Sequence, residues 1–204
     1  MSTLLKITAS ISGPQSQSTQ LADSFIESWL QRNSAGRVVT RDLAREAIPH
    51  LTAERFQALS GAARELSEEQ RIALDYSDEL IAELKAADTL VIATPTHNFS
   101  VPSTLRAYFD HIARAGVTFR YTATGPQGLI EGKKAYVFIT RGGFLPADAD
   151  TQTAYVRQFL AFIGITDVTF VHAEGLNINE ESRTQSLAAA RHTIGKLVPE
   201  IRAA

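Results

Sequence analysis

The chain has 204 residues, of which 44% are hydrophobic and 21% charged, and its formal net charge at pH 7 is -2. A chain of this length can bury one hydrophobic core without dividing, so we expect residues 1–204 to form a single globular domain, and the near-neutral charge argues against a nucleic acid partner. Because the chain contains no cysteine, disulfides, thiolate nucleophiles and Cys-ligated zinc or iron–sulfur sites are excluded, and any redox chemistry requires a bound cofactor.

The N-terminal segment does not match a targeting sequence. The apolar stretch within residues 1–7 is too short for a signal peptide. No apolar run in the chain is long enough to span a bilayer. We therefore expect a cytoplasmic protein that has no membrane partner.

Apolar runs and helical periodicity alternate through the first half of the chain. Leu4 begins a short apolar run, and the apolar residues between Leu21 and Leu30 recur at helical spacing. Ser67 and Gln70 form a Ser-x-x-Gln capping box, which predicts the start of a long helix. The predicted elements are strands over 4–9, 37–42 and 89–94, and helices over 17–30, 52–59 and 67–87.

The second half continues this alternation with one interruption. Residues 116–132 contain aromatic residues, proline and glycine without a helical period, so we expect a structured excursion that has no regular secondary structure. The other predicted elements are strands over 134–139 and 168–173, and helices over 103–114, 151–163 and 180–201.

The order of the predicted elements indicates the fold class. Strand and helix patterns that alternate five times predict an α/β protein with parallel strands, right-handed crossovers and helices on both faces of the sheet. Among doubly wound arrangements, the flavodoxin-like strand order 2-1-3-4-5 fits five strands, and its ligand crevice lies at the carboxyl ends of strands one and three.

Charged and histidine side chains on the predicted helices do not form a recognisable catalytic motif. We expect the carboxylates to be solvated or ion-paired, and we expect His111 and His192 on helix surfaces. The sequence has no His-Glu-x-x-His spacing and no Gly-x-Ser-x-Gly elbow, which argues against a zinc hydrolase, a metal site and a serine hydrolase. The carboxylates concerned are Asp78, Glu79, Glu83 and Asp110.

Three polar segments follow the first, third and fourth predicted strands, and parallel strands bring such segments to one edge of the sheet. Hydroxyl and amide side chains crowd the first segment, from Ser10 to Ser18, where helix N–H groups and the helix dipole favour a phosphate. The chain has no Gly-x-Gly-x-x-Gly motif, so a terminal phosphate monoester fits better than a pyrophosphate. The alternative is a serine-rich turn that only caps its helix.

The other two segments suit a planar heterocycle. Residues 95–99 combine a rigid proline with an asparagine that both donates and accepts hydrogen bonds, beside two aromatic rings. Residues 140–143 end in two glycines, which allow backbone N–H groups to approach a ligand edge closely. The alternative for each segment is an ordinary turn between a strand and the following helix.

With these loops identified, the chain resembles the FMN-dependent NADH:azoreductase family, relatives of the NAD(P)H:quinone reductases with a flavodoxin-like fold. Besides the three loops, the resemblance extends over residues 77–86, 113–122 and 162–168. It implies bound FMN, NADH or NADPH as electron donor, and a homodimer whose flavin sites lie near the subunit interface.

The resemblance also implies roles for individual residues. Four residues would bind the phosphate and ribityl chain of FMN, and two loops would contact its ring. Three aromatic residues would form a wall around the nicotinamide or the acceptor. The phosphate and ribityl residues are Ser10, Ser16, Gln17 and Ser18; the ring residues are Pro95, Thr96, His97, Asn98, Phe99, Thr140, Arg141, Gly142 and Gly143; the wall is Phe119, Tyr121 and Phe162.

The reaction implied by the resemblance is a two-step, ping-pong exchange. The nicotinamide transfers hydride to the flavin and leaves, and a quinone or azo compound then takes its place. Where many members have Met-Tyr, this chain has Thr96-His97, and a histidine there could help to protonate the acceptor. The alternative function is a non-enzymatic flavodoxin-like electron carrier or redox-sensing module.

Overall fold

The computed structural model describes residues 2–61 and 65–197, and its centre is a five-stranded parallel sheet. The strands, in chain order, are β1 (Thr3–Thr8), β2 (Arg37–Asp42), β3 (Thr89–Pro95), β4 (Phe119–Thr122), β5 (Gly125–Gly128), β6 (Lys134–Thr140) and β7 (Asp167–Ala173). The main sheet has the order β2-β1-β3-β6-β7. This order confirms the predicted flavodoxin-like arrangement, because β4 and β5 pair only with each other.

Six α-helices are present in the described residues and flank the sheet. They are α1 (Gln17–Arg32), α2 (Ala53–Leu59), α3 (Glu68–Ala86), α4 (Ser103–Ile112), α5 (Thr151–Ile163) and α6 (Glu180–Leu197). The capping box at the start of α3 is confirmed, since Ser67 Oγ accepts from Gln70 N and Gln70 Oε1 accepts from Ser67 N. The predicted end of the last helix, at Ile201, lies outside the described residues.

The sheet is covered on both faces by apolar helix surfaces, as its doubly wound order requires. On one face, Phe25 of α1 and Leu187 of α6 belong to the same core cluster. On the other face, Leu80 of α3, Leu105 of α4 and Leu160 of α5 form the second cluster. The strand β3 is buried along almost its whole length between these clusters, which explains its continuous apolar sequence.

Two expectations from the sequence are wrong. The predicted irregular excursion contains the antiparallel hairpin β4–β5, in which Phe119 pairs with Gly128 and Tyr121 with Pro126. His111, expected on a helix surface, is fully buried, and its Nδ1 lies 3.0 Å from the carbonyl oxygen of Ala107.

The expectation that the helix carboxylates are solvated or ion-paired is confirmed, since Asp78 pairs with Arg114 and Asp110 with Arg106. Arg41, at the end of β2, is buried against α3 and pairs with Glu79 and Glu83 at 2.7 and 2.5 Å. It also pairs with Glu46 at 3.0 Å. These contacts tie the edge strand β2 to the helix that packs beside it.

Gly128 provides a test of how the hairpin is attached to the sheet domain. A Cβ at this residue would lie 2.1 Å from the backbone nitrogen of Gly164, at the end of α5. Because backbone atoms cannot give way cheaply, we expect Gly128→Ala to lower the free energy of unfolding by about 1–3 kcal/mol, measured in urea.

The matched control is Gly195→Ala. Gly195 lies in α6, and no atom is within 4 Å of its added Cβ. Alanine is the better helix former, so we expect this variant to gain up to about 1 kcal/mol. If Gly128→Ala were as stable as Gly195→Ala, the contact between hairpin and helix would not be a close one.

Candidate functional site

The carboxyl ends of the four strands β1, β3, β6 and β7 meet at one edge of the sheet, which we call the rim. Pro95 lies opposite Thr140 in the ladder between β3 and β6, and Thr8 lies opposite Ala93 in the ladder between β1 and β3. This register places the loops that follow these strands side by side. The three polar segments of the sequence are therefore neighbours in space.

Two adjoining cavities open at the rim. The first, of about 350 Å³, is called the rim cavity, and the second, of about 300 Å³, the outer cavity. They share Thr96, Arg141 and Gly142. The rim cavity is also lined by Ser10, Ser12, Gln15, Ser16, Gln17, Pro95, His97, Thr140, Leu176, Asn177 and Arg183, and the outer cavity by Asn98, Phe99, Gly143, Phe144 and Leu145.

The start of α1 faces the rim with its N–H groups uncapped. Ser16 is the N-cap residue, but its side chain caps no helix N–H, and its Oγ lies 2.9 Å from Ser18 Oγ. The first turn of α1 contains no acidic residue. The positive end of the helix dipole is thus available to an anion, which contradicts the alternative that these serines only cap the helix. Ser18 itself is fully buried and supports Ser16 from below.

The loop after β3 makes a strained turn beside the cavities. His97 and Ser100 exchange two backbone hydrogen bonds, at 2.9 and 3.0 Å, and Asn98 and Phe99 between them have φ angles of 48° and 66°. Positive φ at both central residues defines a type I′ turn, which is unfavourable for a bulky residue such as Phe99. Strain of this kind is concentrated at functional sites.

The glycine pair after β6 is held by the loop after β7. The carbonyl groups of Gly142 and Gly143 accept hydrogen bonds from the N–H groups of Asn177 and Gly175. Within residues 2–61 and 65–197, the N–H groups of the two glycines have no acceptor. The space that a Cβ of Gly143 would occupy is open, so a flat ligand edge can approach these two donors.

The first turn of α5 fastens the loops after β3 and β6. The amide of Gln152, whose side chain is buried, donates to Pro95 O at 3.1 Å and accepts from Thr96 Oγ1. Thr151 Oγ1 donates to Phe99 O at 3.0 Å. Gln152 was not predicted from the sequence, because nothing in its local pattern distinguishes a buried glutamine from an exposed one.

Arg141 is a buried cation that supports the glycine pair from beneath. Its guanidinium pairs with Asp150 at 2.9 Å and with Glu174 at 3.3 Å, so its charge is compensated. Burial raises the pKa of Asp150, but hydrogen bonds from Thr153 and the pairing with Arg141 outweigh burial and hold that pKa below its ordinary value. Asp150 is therefore a carboxylate at neutral pH.

The three aromatic residues expected around the substrate lie together, but apart from the rim. The ring of Phe119 packs 4.2 Å from that of Phe162 and 5.4 Å from that of Tyr121. Phe119 and Tyr121 line a separate cavity of about 410 Å³ together with Leu51, Phe56, Leu59, Ser60, Asp110, Ala113 and Ala115. Their contact with a substrate stays a prediction, and within one chain they do not border the two cavities at the rim.

Several residues that line the cavities were not singled out by sequence analysis. Leu176, Asn177 and Arg183 come from the loop after β7 and the start of α6. The strand order could have identified these residues, because the loop after β7 is the fourth loop that begins at the rim. Phe144 and Leu145 extend the third polar segment.

The described part of the chain was also searched for a metal site and for a membrane-spanning helix. It contains no cluster of three or more histidine, aspartate or glutamate side chains that could hold a metal ion. None of its helices is both long and apolar enough to cross a membrane.

Comparison with known proteins places this geometry in a family. The family model described as "Flavodoxin-like fold" matches residues 2–198. A protein of Cellvibrio japonicus (strain Ueda107), named FMN-dependent NADH:quinone oxidoreductase, is 49% identical over 195 residues, which are 95% of this chain and 97% of the relative. A protein of the same name from Burkholderia pseudomallei (strain K96243) is 48% identical over 95% of this chain and 98% of its own.

Two solved structures that resemble this chain over nearly its whole length are azoreductases. An azoreductase from Bacillus anthracis str. Sterne superposes with a TM-score of 0.89 at 29% identity, covering 98% of this chain and all of its own. An FMN-dependent NADH-azoreductase from Bacillus anthracis str. Ames Ancestor, solved in complex with FMN, gives a TM-score of 0.85 at 26% identity, covering 97% of this chain and 100% of its own.

The strain at Phe99 can be tested by comparing alanine with glycine. Because φ is positive there, we expect Phe99→Gly to be more stable than Phe99→Ala by about 1 kcal/mol in urea unfolding. The control is Phe56, an exposed residue within α2. There the order should reverse, with Phe56→Gly less stable than Phe56→Ala by about 1 kcal/mol. The same order at both residues would contradict a strained turn.

The ion pair between Asp150 and Arg141 predicts that stability is lost at low pH. Asparagine keeps the N-cap acceptor at residue 150 but removes its charge, so we expect Asp150→Asn to be less stable than the parent by about 1–3 kcal/mol at pH 7. Because the pKa of Asp150 is lowered in the folded state, its contribution is present at neutral pH. It is lost as the pH falls below the ordinary carboxyl value of about 3.9.

The measurement is the urea midpoint of parent and variant between pH 7 and pH 3. The difference between the two should narrow towards the acid end. Asp148, which is exposed, provides the control, because Asp148→Asn should match the parent throughout. A constant difference between the parent and Asp150→Asn would contradict the assigned ionisation.

Proposed function

Because the chain belongs to the family with the flavodoxin-like fold, we propose that it is an oxidoreductase, an FMN-dependent NADH:quinone oxidoreductase. The observation that carries this proposal is the rim cavity, where the uncapped start of α1 and the loops after β3 and β6 border one space. Relatives named for this activity match nearly the whole chain at up to 49% identity.

The residues at the rim suit both the phosphate and the flavin ring of FMN. Ser10, Ser16 and Gln17 line the cavity beside the uncapped N–H groups of α1, which suits a phosphate monoester. In the proposed arrangement Ser18 contributes by orienting Ser16, with which it shares a hydrogen bond. The flavin ring would lie between residues 95–99 and residues 140–143, both of which border the two cavities.

The loops supply complementary groups for the edge of the ring. The free N–H groups of Gly142 and Gly143 would donate to its carbonyl and nitrogen acceptors, and the side chain of Asn98 can both donate and accept. Preformed donors of this kind stabilise negative charge without reorganisation. The chemistry that bound FMN supplies is the transfer of reducing equivalents from NADH to an acceptor.

The outer cavity is the proposed acceptor site. Phe99 and Phe144 line it and are exposed, so a planar quinone or an azo compound could stack against their rings. Both cavities open at the same rim, which favours a ping-pong order in which donor and acceptor occupy one place in turn. His97 lines the rim cavity, and its assistance in protonating the acceptor stays a prediction.

We also propose that the protein works in the cytoplasm as a homodimer with its flavin sites at the interface. The cavity around Phe119 and Tyr121 contains exposed apolar side chains, with 59% of Phe56 and 76% of Tyr121 accessible. A second copy would cover this surface, since large exposed apolar patches mark sites of association. In a dimer, the aromatic residues of one chain could then line the flavin site of the partner chain.

The test is steady-state oxidation of NADH and NADPH with benzoquinone by the FMN-reconstituted protein. We expect turnover with a quinone, and parallel lines in double-reciprocal plots because the two substrates bind in succession. Intersecting lines would contradict the ping-pong order, and a panel of azo dyes tests the second acceptor class. Bound FMN without oxidation of either nicotinamide would instead establish an electron carrier or a redox-sensing module.

A further inference from the structure

The rim cavity contains a cation that the ion pairs of the protein leave unused. Arg183 lines the cavity, and within residues 2–61 and 65–197 its guanidinium makes no hydrogen bond or ion pair. The other arginine of the lining, Arg141, is neutralised by Asp150 and Glu174. None of the described residues that line the cavity is an aspartate or a glutamate. The described lining of the cavity therefore has one guanidinium without an ion pair.

The packing of the helices places Arg183 and the start of α1 at the same cavity. The helices α1 and α6 share the core cluster on one face of the sheet, to which Phe25 and Leu187 belong. Both helices begin at the rim, because each follows a strand that ends there. Arg183 lies in the first turn of α6, and its N–H donates to Asn179 O. The start of α1, with Ser16 and Gln17, borders the same cavity.

The serine-rich loop alone leaves the charge of a phosphate monoester uncompensated. Ser10, Ser12, Gln15, Ser16 and Gln17 are all neutral. Such a phosphate carries a charge between -1.5 and -2 at pH 7, and the end of a helix dipole compensates only about half a charge. Arginine is suited to the remainder, because its planar fork of donors matches two phosphate oxygens.

We propose that Arg183 binds the phosphate group of FMN and is the residue that makes this chain select FMN over the uncharged flavin riboflavin. This inference rests on the proposed function and extends it to a residue outside the three polar segments. A phosphate of the pyridine nucleotide donor has the same chemistry, so the test separates the two sources.

The experiment measures the dissociation constants of FMN and riboflavin for the flavin-free full-length protein, by flavin fluorescence. We expect Arg183→Ala to weaken FMN binding by about 10-fold to 100-fold and to leave riboflavin binding within about twofold, a margin of about 0.4 kcal/mol. Arg183→Lys keeps the charge without the fork, so its loss should be smaller. The loss in Arg183→Ala should also shrink as salt is raised, because the phosphate contact is electrostatic.

The matched control is Arg191→Ala. Arg191 is exposed two turns further along α6 and does not line the cavity. The Arg191→Ala substitution removes the same charge from the same helix, so the FMN affinity of this variant should match that of the parent. An equal loss in Arg191→Ala would overturn the proposal in favour of a general effect of charge, and an equal loss of riboflavin affinity in Arg183→Ala would indicate a contact with the ring or the ribityl chain.

Two further outcomes also overturn the proposal that Arg183 binds the phosphate of FMN. Unchanged FMN affinity together with a raised Michaelis constant for NADH or NADPH would assign Arg183 to the donor phosphate, while the proposed enzyme would stand. If the parent bound neither FMN nor riboflavin, the proposed function itself would fail, and the role of Arg183 with it.

Discussion

The first turn of α5 is the part of the structure on which the rim depends. The N-cap residue and the two residues after it hold two segments: Asp150 pairs with Arg141 of the loop after β6, whereas Thr151 bonds Phe99 and Gln152 bonds Pro95 and Thr96 of the loop after β3. Because one rigid helix makes all these contacts, the loops after β3 and β6 cannot move independently of each other. The strained turn at Asn98 and Phe99 persists because the surrounding contacts determine it.

Most of the fold could be predicted, because its elements obey local rules. The continuous apolar run of β3 is typical of a central parallel strand, and the structure buries it on both faces. The capping box at Ser67 fixed the start of α3, and the strand β2 has the predicted bounds, Arg37–Asp42. Once five parallel strands are identified, the convergence of the polar loops follows from topology, without knowledge of any side-chain contact.

The unpredicted features depend on tertiary contacts. The β4–β5 hairpin has Pro126 within Gly125–Gly128, residue types that are depleted in strands. His111 is buried because α4 is covered on most of its surface, including Tyr108 and Phe109, which helical periodicity alone does not reveal. The positive φ of Phe99 opposes the preference of its residue type, and Arg183 belongs to a helix far along the chain from the other residues of the cavity.

The backbone bonds between the loops after β6 and β7 bear on how such a chain tolerates insertions. The carbonyl groups of Arg141, Gly142 and Gly143 accept from Leu176, Asn177 and Gly175, so hydrogen bonding between these two chain segments extends past the last residues of both strands. An extra residue within either stretch would shift every later partner and displace the cavity lining. Residues 144–149 lie beyond this bonding and before α5, and Phe144, Pro146, Asp148 and Ala149 among them are exposed, so changes of loop length among relatives are best accommodated there.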